Sequence, residues 1–541
     1  LFLLGANDGV LPAAENRGGV LRDEDREALE RQQIFLAPHG MEQFHLEIQN
    51  LYAALAQPTE KLTVSYPVSD GKGAEKRPSF VIGRIARLLP LISVETESTD
   101  KEYRLSAKST ALEYAGEHIG GALWQYFEGQ GDAERALAAM KDASRYTRGH
   151  LSRDAVRALY GGAVTLSASR MDMARSCHFA YFMRYGLKAR ERTGAGFDAP
   201  QIGTFVHDVM EHTLRQAKEC GGLHTLSKDK LHALVRASIE EYIDRVLPDL
   251  CEKSARFRYL FNRLCAAVER IMDEVSEELQ SSDFEPLAFE LEFGADGQLP
   301  AITIREENGT ARVVGKVDRV DGWLHDGKLY LRVVDYKTGK KSFDLAELRY
   351  GLGLQMLLYL FTLKEEGQML FGGHEIVPAG VLYTPAREPM LRCARDTEPE
   401  KIEKALKKEL RRSGMVLEDP AVLQAMEHSA LESPCYLPIA VKKDGAVTGS
   451  LASAEQLGKL SKYVDHILHE ITQEVFAGNI DADPYARTPQ QSACTYCEFA
   501  SACHFENGCG SDRMEYIKAT KNDEFWQYID EVNGEGAHEN G

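Results

Sequence analysis

Two strand-like runs in ARVVGKVDRVDGWLHDGKLYLRVVDYKTGK, residues 311–340, are separated by Asp326 and Gly327. Asp-Gly is a pair that a two-residue hairpin turn selects, because both central positions need a positive φ. With that turn, residues equidistant from it face each other, and Asp318 falls directly opposite Asp335. Directly opposed side chains have Cβ atoms roughly 4.5–5.5 Å apart, and two carboxylates at that range repel unless a cation neutralises them. Mg²⁺ or Mn²⁺, hard ions that prefer oxygen ligands, suits such a pair. Strand periodicity puts Lys337 on the face of Asp335 and turns Tyr336 the other way. Beside a bound ion, Lys337 could orient or help deprotonate an attacking water, or stabilise charge on a phosphate. A solvated hairpin face can carry Asp and Lys to no purpose, but Leu331, Val333 and Val334 mark the second strand as buried on both faces. Lys316, opposite Lys337, is a secondary candidate for phosphate contact.

Three further groups could join this chemistry. His207, in GTFVHDVMEHTL on a helix predicted over residues 201–219, offers a metal ligand, although a lone helical His is more often structural. Gln355 and Tyr359, four apart on a helix predicted over 349–364, share a face. They could hold phosphate or orient Lys337, or be polar groups satisfied by water. ACTYCEFASACHF sets Cys494, Cys497 and Cys503 in a C-x2-C-x5-C array, which a fourth soft ligand would complete into a zinc site or an iron–sulfur cubane. Cys177 and Cys509 are the candidates, and Cys177 would tie the start of its unit to its end. Cys220, Cys251, Cys265, Cys393 and Cys435 lack such spacing and read as packed or surface thiols.

The elements that must position these residues follow from pattern. At 541 residues the chain calls for two or more domains. Residues 1–160 read as α/β: a short buried strand at Phe2 to Leu4, a polar helix from Arg22 to Gln32, an amphipathic helix from Met41 to Leu55, a strand at 62–67 and a mostly helical run from Ser79 to about Leu159. The missing initiator Met suggests a piece of a longer polypeptide. Gly161 and Gly162 mark a boundary, after which residues 161–510 form a second unit. There, helix spans 226–280, strands fill 285–336, and VLYTP (381–385) is the last sheet strand. A charged helix at about 398–413 lies in a long connection, and a long amphipathic helix runs from Glu455 to Phe476. Residues 511–541 are a polar tail, closing in EVNGEGAHENG, expected to be mobile. The fold class is α/β.

Composition sets limits on partners. With 43% hydrophobic and 27% charged residues the chain is globular, and no apolar run approaches a membrane span. A net charge of −19 argues against non-specific coating of nucleic acid, but allows a locally basic channel, for which Lys316, Lys337 and Lys340 are candidates. Ten Cys in such a length is not a disulfide scaffold.

GTFVH, GKVDRVD, VVDYKTGK and QMLLY together resemble the successive motifs of RecB-type nuclease domains in the PD-(D/E)XK superfamily. RSCHFAYFMRYG with the terminal Cys array resembles the iron–sulfur staple of the AddB family of bacterial AddAB helicase-nucleases, and the likeness spans roughly 165–505. The resemblance implies a central mixed sheet with flanking helices. It also implies that His207, Asp318, Asp335 and the Tyr336 carbonyl bind Mg²⁺ or Mn²⁺, with Lys337 as motif lysine and Gln355 and Tyr359 as a Gln-x3-Tyr element. Cys177, Cys494, Cys497 and Cys503 would hold a structural [4Fe-4S] cluster. LFLLGANDGVLP and LYAALAQPTEKLTVSYP resemble the end of a superfamily 1 helicase core, but Gln57 stands where an ATP-contacting Arg is expected, and neutral Gln cannot replace it. The resemblance therefore implies a degenerate motor paired with an AddA-type subunit as a heterodimer. Such a complex acts on a double-stranded DNA end, this chain cutting the unwound 5′-ended strand, in the cytoplasm at the nucleoid during repair. Two other readings are a non-catalytic DNA-binding scaffold and a stand-alone iron–sulfur exonuclease.

Overall fold

The computed structural model describes the chain apart from residues 14–20, 22, 38–39, 70–74, 93, 96–103, 146, 191–198, 250–252, 295–296, 390, 395–396, 489–490 and 535–541. Arg22, Cys251 and the last seven residues of the tail lie outside the described residues. The chain divides into two compact units, Leu1–Arg145 and Tyr146–Gly541. The division falls before the Gly161–Gly162 pair.

In the first unit, Phe2–Leu3 and Thr63–Val64 pair in parallel, with helices Asp23–Arg31 and Met41–Ala56 between them. The opening strand is not buried as its apolar run suggests: Phe2 is 73% exposed, and Leu4 is exposed as well. A two-residue ladder gives these side chains one neighbouring strand, and among the described residues no layer covers them. Helices Lys108–Glu117, Ala122–Phe127 and Asp132–Ser144 close a small core around Ala115, Trp124, Phe127 and Leu137.

The second unit is built on a six-stranded mixed sheet, in the order Leu451–Ala452, Ser413–Leu417, Glu375–Pro385, Lys328–Lys337, Gly315–His325, Glu285–Phe293. Gly315–His325 and Lys328–Lys337 form the predicted hairpin. Asp326 and Gly327 both have positive φ, 50° and 76°, as a turn matching the strands' twist demands. The register is the expected one, with His325 facing Lys328 and Arg319 facing Val334. The next strand, Glu375–Pro385, runs parallel to Lys328–Lys337. Parallel strands need a crossover, and helix Gln355–Glu366 supplies it, buried from Met356 to Leu363.

Three expectations change. Glu375–Pro385 is not the last sheet strand, because Ser413–Leu417 and Leu451–Ala452 extend the sheet. The helix predicted over 349–364 is two: Leu345–Arg349, then a turn in which Gly351 and Gly353 take φ of 74° and 68°, then Gln355–Glu366. Asp172 accepts the Gly353 N–H at 2.9 Å and holds that turn. The polar tail is folded over Asn522–Val532, a helix that buries Phe525, Trp526 and Ile529 in the main core.

Candidate metal centre

Asp318 and Asp335 lie one step beyond the last paired residues of the hairpin, Arg319 and Val334. There the Tyr336 N–H donates to Asp318 Oδ2 at 2.8 Å. Asp335 is 3% exposed. Burial and the neighbouring Asp318 carboxylate push it up to about 6, against the pull of Lys337 and His207. This is the cost expected when two carboxylates share a dry site without a cation. Lys337 Nζ lies 2.5 Å from Asp335 Oδ2 and 5.7 Å above the Tyr383 ring.

His207 reaches the same place from helix Ala199–Glu219. Its Nε2 donates to the Tyr336 carbonyl at 2.9 Å, and its Nδ1 lies 3.4 Å from Asp318 Oδ2. Burial works against its charged form, but Asp318, Asp335 and the Tyr336 carbonyl outweigh it and raise the His207 pKa.

Glu290 joins the group and has no counterpart among the sequence-derived candidates. His207, Glu290 and Asp318 each offer a ligand atom, all within 4.8 Å of one another. Glu290 lies on the edge strand Glu285–Phe293, between Phe289, which faces Arg319, and Leu291, which faces Val317. Its φ of 49° is a strained conformation for a residue with a side chain, and such strain concentrates at functional sites. Burial, then the Asp318 and Glu211 charges, raise its pKa, with Lys316 opposing.

Lys316 is committed to that acid, with Nζ 2.5 Å from Glu290 and 3.7 Å from Glu292. Lys340 pairs with Glu409 at 3.4 Å, and Lys337 with Asp335. The three lysines proposed to make a basic channel are therefore each offset by a carboxylate. Gln355 Nε2 donates to the Tyr359 hydroxyl at 3.2 Å, and both line a cavity of about 560 Å³ together with Ser169 and Lys316.

Glu290→Gln is expected to lower Mn²⁺ affinity by at least the roughly 10- to 100-fold that losing a group behind a metal ligand costs. Calorimetric titration measures this; parent-like affinity would leave Glu290 as a partner of Lys316 alone.

Cys177, Cys494, Cys497 and Cys503 line one cavity of about 590 Å³. Cys509, the other candidate for fourth ligand, is exposed and outside that lining. Burial pushes the Cys177 thiol up to about 12, and burial with the nearby Cys497 and Cys503 pushes Cys494 up to about 11. Among the described residues, no three of these sulfurs come within 4.8 Å of one another.

A mixed sheet that brings paired carboxylates, a lysine and a helix-borne histidine to the open end of one hairpin fits a metal-dependent nuclease core. Residues 165–504 match the PD-(D/E)XK nuclease superfamily, and the chain belongs to it. Over nearly its whole length it is also similar to proteins described as the B subunit of an ATP-dependent helicase/deoxyribonuclease. That of Acetivibrio thermocellus is 32% identical over 98% of this chain and 48% of its own length. That of Ruminiclostridium cellulolyticum is 31% identical over 98% and 48%, and that of Thermoanaerobacter sp. strain X514 is 30% identical over 99% and 49%. The chain spans about half the length of these relatives.

Proposed function

We propose that the chain supplies the metal-dependent nuclease of a helicase-nuclease complex, hydrolysing the 5′-ended strand at DNA ends during double-strand-break resection and recombinational repair. The observation that carries this reading is the convergence of His207, Glu290 and Asp318 beside the buried Asp335 and its partner Lys337. Asp318, Asp335, His207 and Glu290, with the Tyr336 carbonyl, are a hard, mostly oxygen donor set suited to Mg²⁺ or Mn²⁺. A bound ion of this kind polarises a phosphoryl oxygen and makes water a better nucleophile. Lys337, on the same face as Asp335, orients that water or offsets charge growing on the phosphate. Tyr359, held by Gln355, offers a neutral hydroxyl donor to the DNA backbone.

The names of the relatives support an ATP-driven partner, which we assign as an AddA-type subunit in a heterodimer that feeds an unwound strand from a duplex end. Gln57, in place of a phosphate-binding Arg, supports a helicase-like first unit that does not itself hydrolyse ATP. We assign its work to the nucleoid in the cytoplasm, where such relatives' DNA substrate lies; no described helix is long and apolar enough to cross a membrane.

Cys177, Cys494, Cys497 and Cys503 would hold a structural [4Fe-4S] cluster, which supplies no phosphodiester chemistry. Their shared cavity supports this. Cys497→Ser is expected to lose visible absorption near 400 nm and bound iron together. Colourless parent protein carrying one zinc per chain would reject the cluster.

The nuclease assignment is tested by single-turnover cleavage of end-labelled duplex by the partner complex with ATP and Mg²⁺, parent against Asp318→Ala. Loss of cuts on the 5′-ended strand alone supports it. Unchanged cuts on both strands would make this chain a DNA-handling scaffold.

A further inference from the structure

The face of the hairpin turned away from the metal centre is charged where a sheet interior is ordinarily apolar. Arg319, Asp321 and Arg332 are completely buried. Asp321 and Arg332 face each other across the hairpin, with Arg332 Nε 2.8 Å from Asp321 Oδ2. Arg319 contacts both oxygens of Asp321, Nε to Oδ1 at 2.8 Å and Nη2 to Oδ2 at 3.0 Å. Taking ions out of water is costly, and well-packed apolar residues in their place are often at least as stable. Stability alone is therefore a poor reason for this cluster.

Strand alternation gives another. Arg319 follows Asp318 in the chain, and Tyr336 lies between Asp335 and Lys337, so these two back-face residues each share a peptide with a residue of the centre. Tyr336 joins the two faces. Its N–H donates to Asp318 Oδ2 at 2.8 Å and its carbonyl accepts from His207 Nε2 at 2.9 Å. On the far side its hydroxyl accepts from Arg319 Nη1 at 2.7 Å. One residue thus orders two members of the centre through its backbone while a buried guanidinium fixes the end of its side chain.

We propose that Arg319 is a positioning residue for the nuclease reaction, acting through the Tyr336 hydroxyl to hold the Tyr336 peptide, and with it Asp318 and His207, in the geometry that receives the metal ion. This rests on the nuclease reading above. The competing account gives Arg319 only the task of neutralising Asp321. Tyr336→Phe separates them, because it removes the strut and leaves both Arg319–Asp321 contacts in place.

The test uses the 541-residue chain, single-stranded DNA and Mn²⁺, with Tyr336→Phe, Arg319→Lys, the double variant and Asp335→Ala as reference. Tyr336→Phe is expected to lower kcat by about 10- to 100-fold, the scale of a small misplacement of reacting groups. KM for DNA stays within about twofold, because the loss falls on chemistry and not on uniform binding. Mn²⁺ binding, followed by calorimetry and by the electron paramagnetic resonance of the ion, weakens and broadens. Arg319→Lys, which retains a cation for Asp321 but not the guanidinium fork, shows the same split. The double variant is no worse than the poorer single variant, since both remove one strut.

Parent-like kcat and Mn²⁺ affinity in Tyr336→Phe, with Asp335→Ala inactive, would overturn the strut and leave the nuclease reading intact. Additive losses in the double variant would also overturn it. Undiminished cleavage by Asp335→Ala would take down the nuclease reading and the strut together.

Discussion

Replacing Asp335 by Ala is expected to lower metal-dependent DNA cleavage by roughly 10³-fold or more, because the ion's stabilisation of the reacting phosphate is worth several kcal/mol and each 1.36 kcal/mol is tenfold in rate. The variant removes one of two facing carboxylates and leaves Lys337 without the partner it holds at 2.5 Å. Loss of activity could also come from unfolding, and the titration of Asp335 separates the two. Burial and the Asp318 carboxylate raise its pKa from an ordinary 3.8 to about 6, so the folded state holds this proton more tightly than the unfolded chain does. The ionised carboxylate therefore costs stability, a cost that grows as pH rises from about 4 to about 6 and is complete above that. Asp335→Asn removes the charge and keeps the shape. Without metal at neutral pH it should melt no lower than the parent, and adding Mn²⁺ should raise the parent's Tm but not the variant's. An Asn variant that cleaves at the parent's rate would move the chemistry to other residues.

The part of this site that could be read in the sequence is the part joined by a short turn. Asp326 and Gly327 fix the register of the hairpin, and the register fixes which side chains of residues 315–337 face each other. Asp318 and Asp335 follow from it, and so does the Asp321–Arg332 pair, whose burial on both sides depends on helices and strands that local pattern does not reveal. Glu290 was hidden for a different reason. The alternation of Phe289, Leu291 and Phe293 puts Glu290 on the opposite strand face, but residues 294–314 separate it from Gly315–His325 and include two strands of another sheet, Ile302–Glu306 and Gly309–Val313. No tight turn sets the register across such an excursion. Its positive φ is likewise a property of the assembled edge strand. Ser413–Leu417 escaped because five residues between a charged helix and a Pro-started helix carry too little pattern to tell strand from loop. The C-terminal helix was missed although Phe525, Trp526 and Ile529 stand at helical spacing, because the overall polarity of the segment outweighed three apolar positions.

Glu278→Ala is expected to destabilise the second unit by about 3–5 kcal/mol, the cost of breaking a buried ion pair by removing one partner. Glu278 leaves helix Ala255–Gln280 beneath the sheet, 1% exposed. Arg412 donates to its Oε2 through Nη2 at 2.6 Å and Nε at 3.0 Å, while Arg332 Nη2 lies 3.4 Å from its Oε1. Without the carboxylate, Arg412 keeps its bond to the Leu410 carbonyl and its place over the Tyr436 ring but no anion, and Arg332 shares Asp321 with Arg319. Burial alone would raise the Glu278 pKa, but the charges of Arg412, Arg332 and Arg319 overcome it and hold it at about 2, below an ordinary 4.5. A carboxyl depressed on folding contributes stability that is fully present above its unfolded pKa and is lost as pH falls toward the folded one. The window is therefore about pH 4.5 down to 2, and the shift corresponds to roughly 3 kcal/mol, the same size as the mutational loss. Urea midpoints at pH 6 and pH 3 measure both effects. The parent should lose stability between them through this group, while Glu278→Gln, less stable at pH 6, should lose correspondingly less. Equal acid sensitivity in parent and variant would mean that the three arginines are balanced elsewhere, and would remove the reason for expecting Arg332 and Arg319 to be held as firmly as the Tyr336 strut requires.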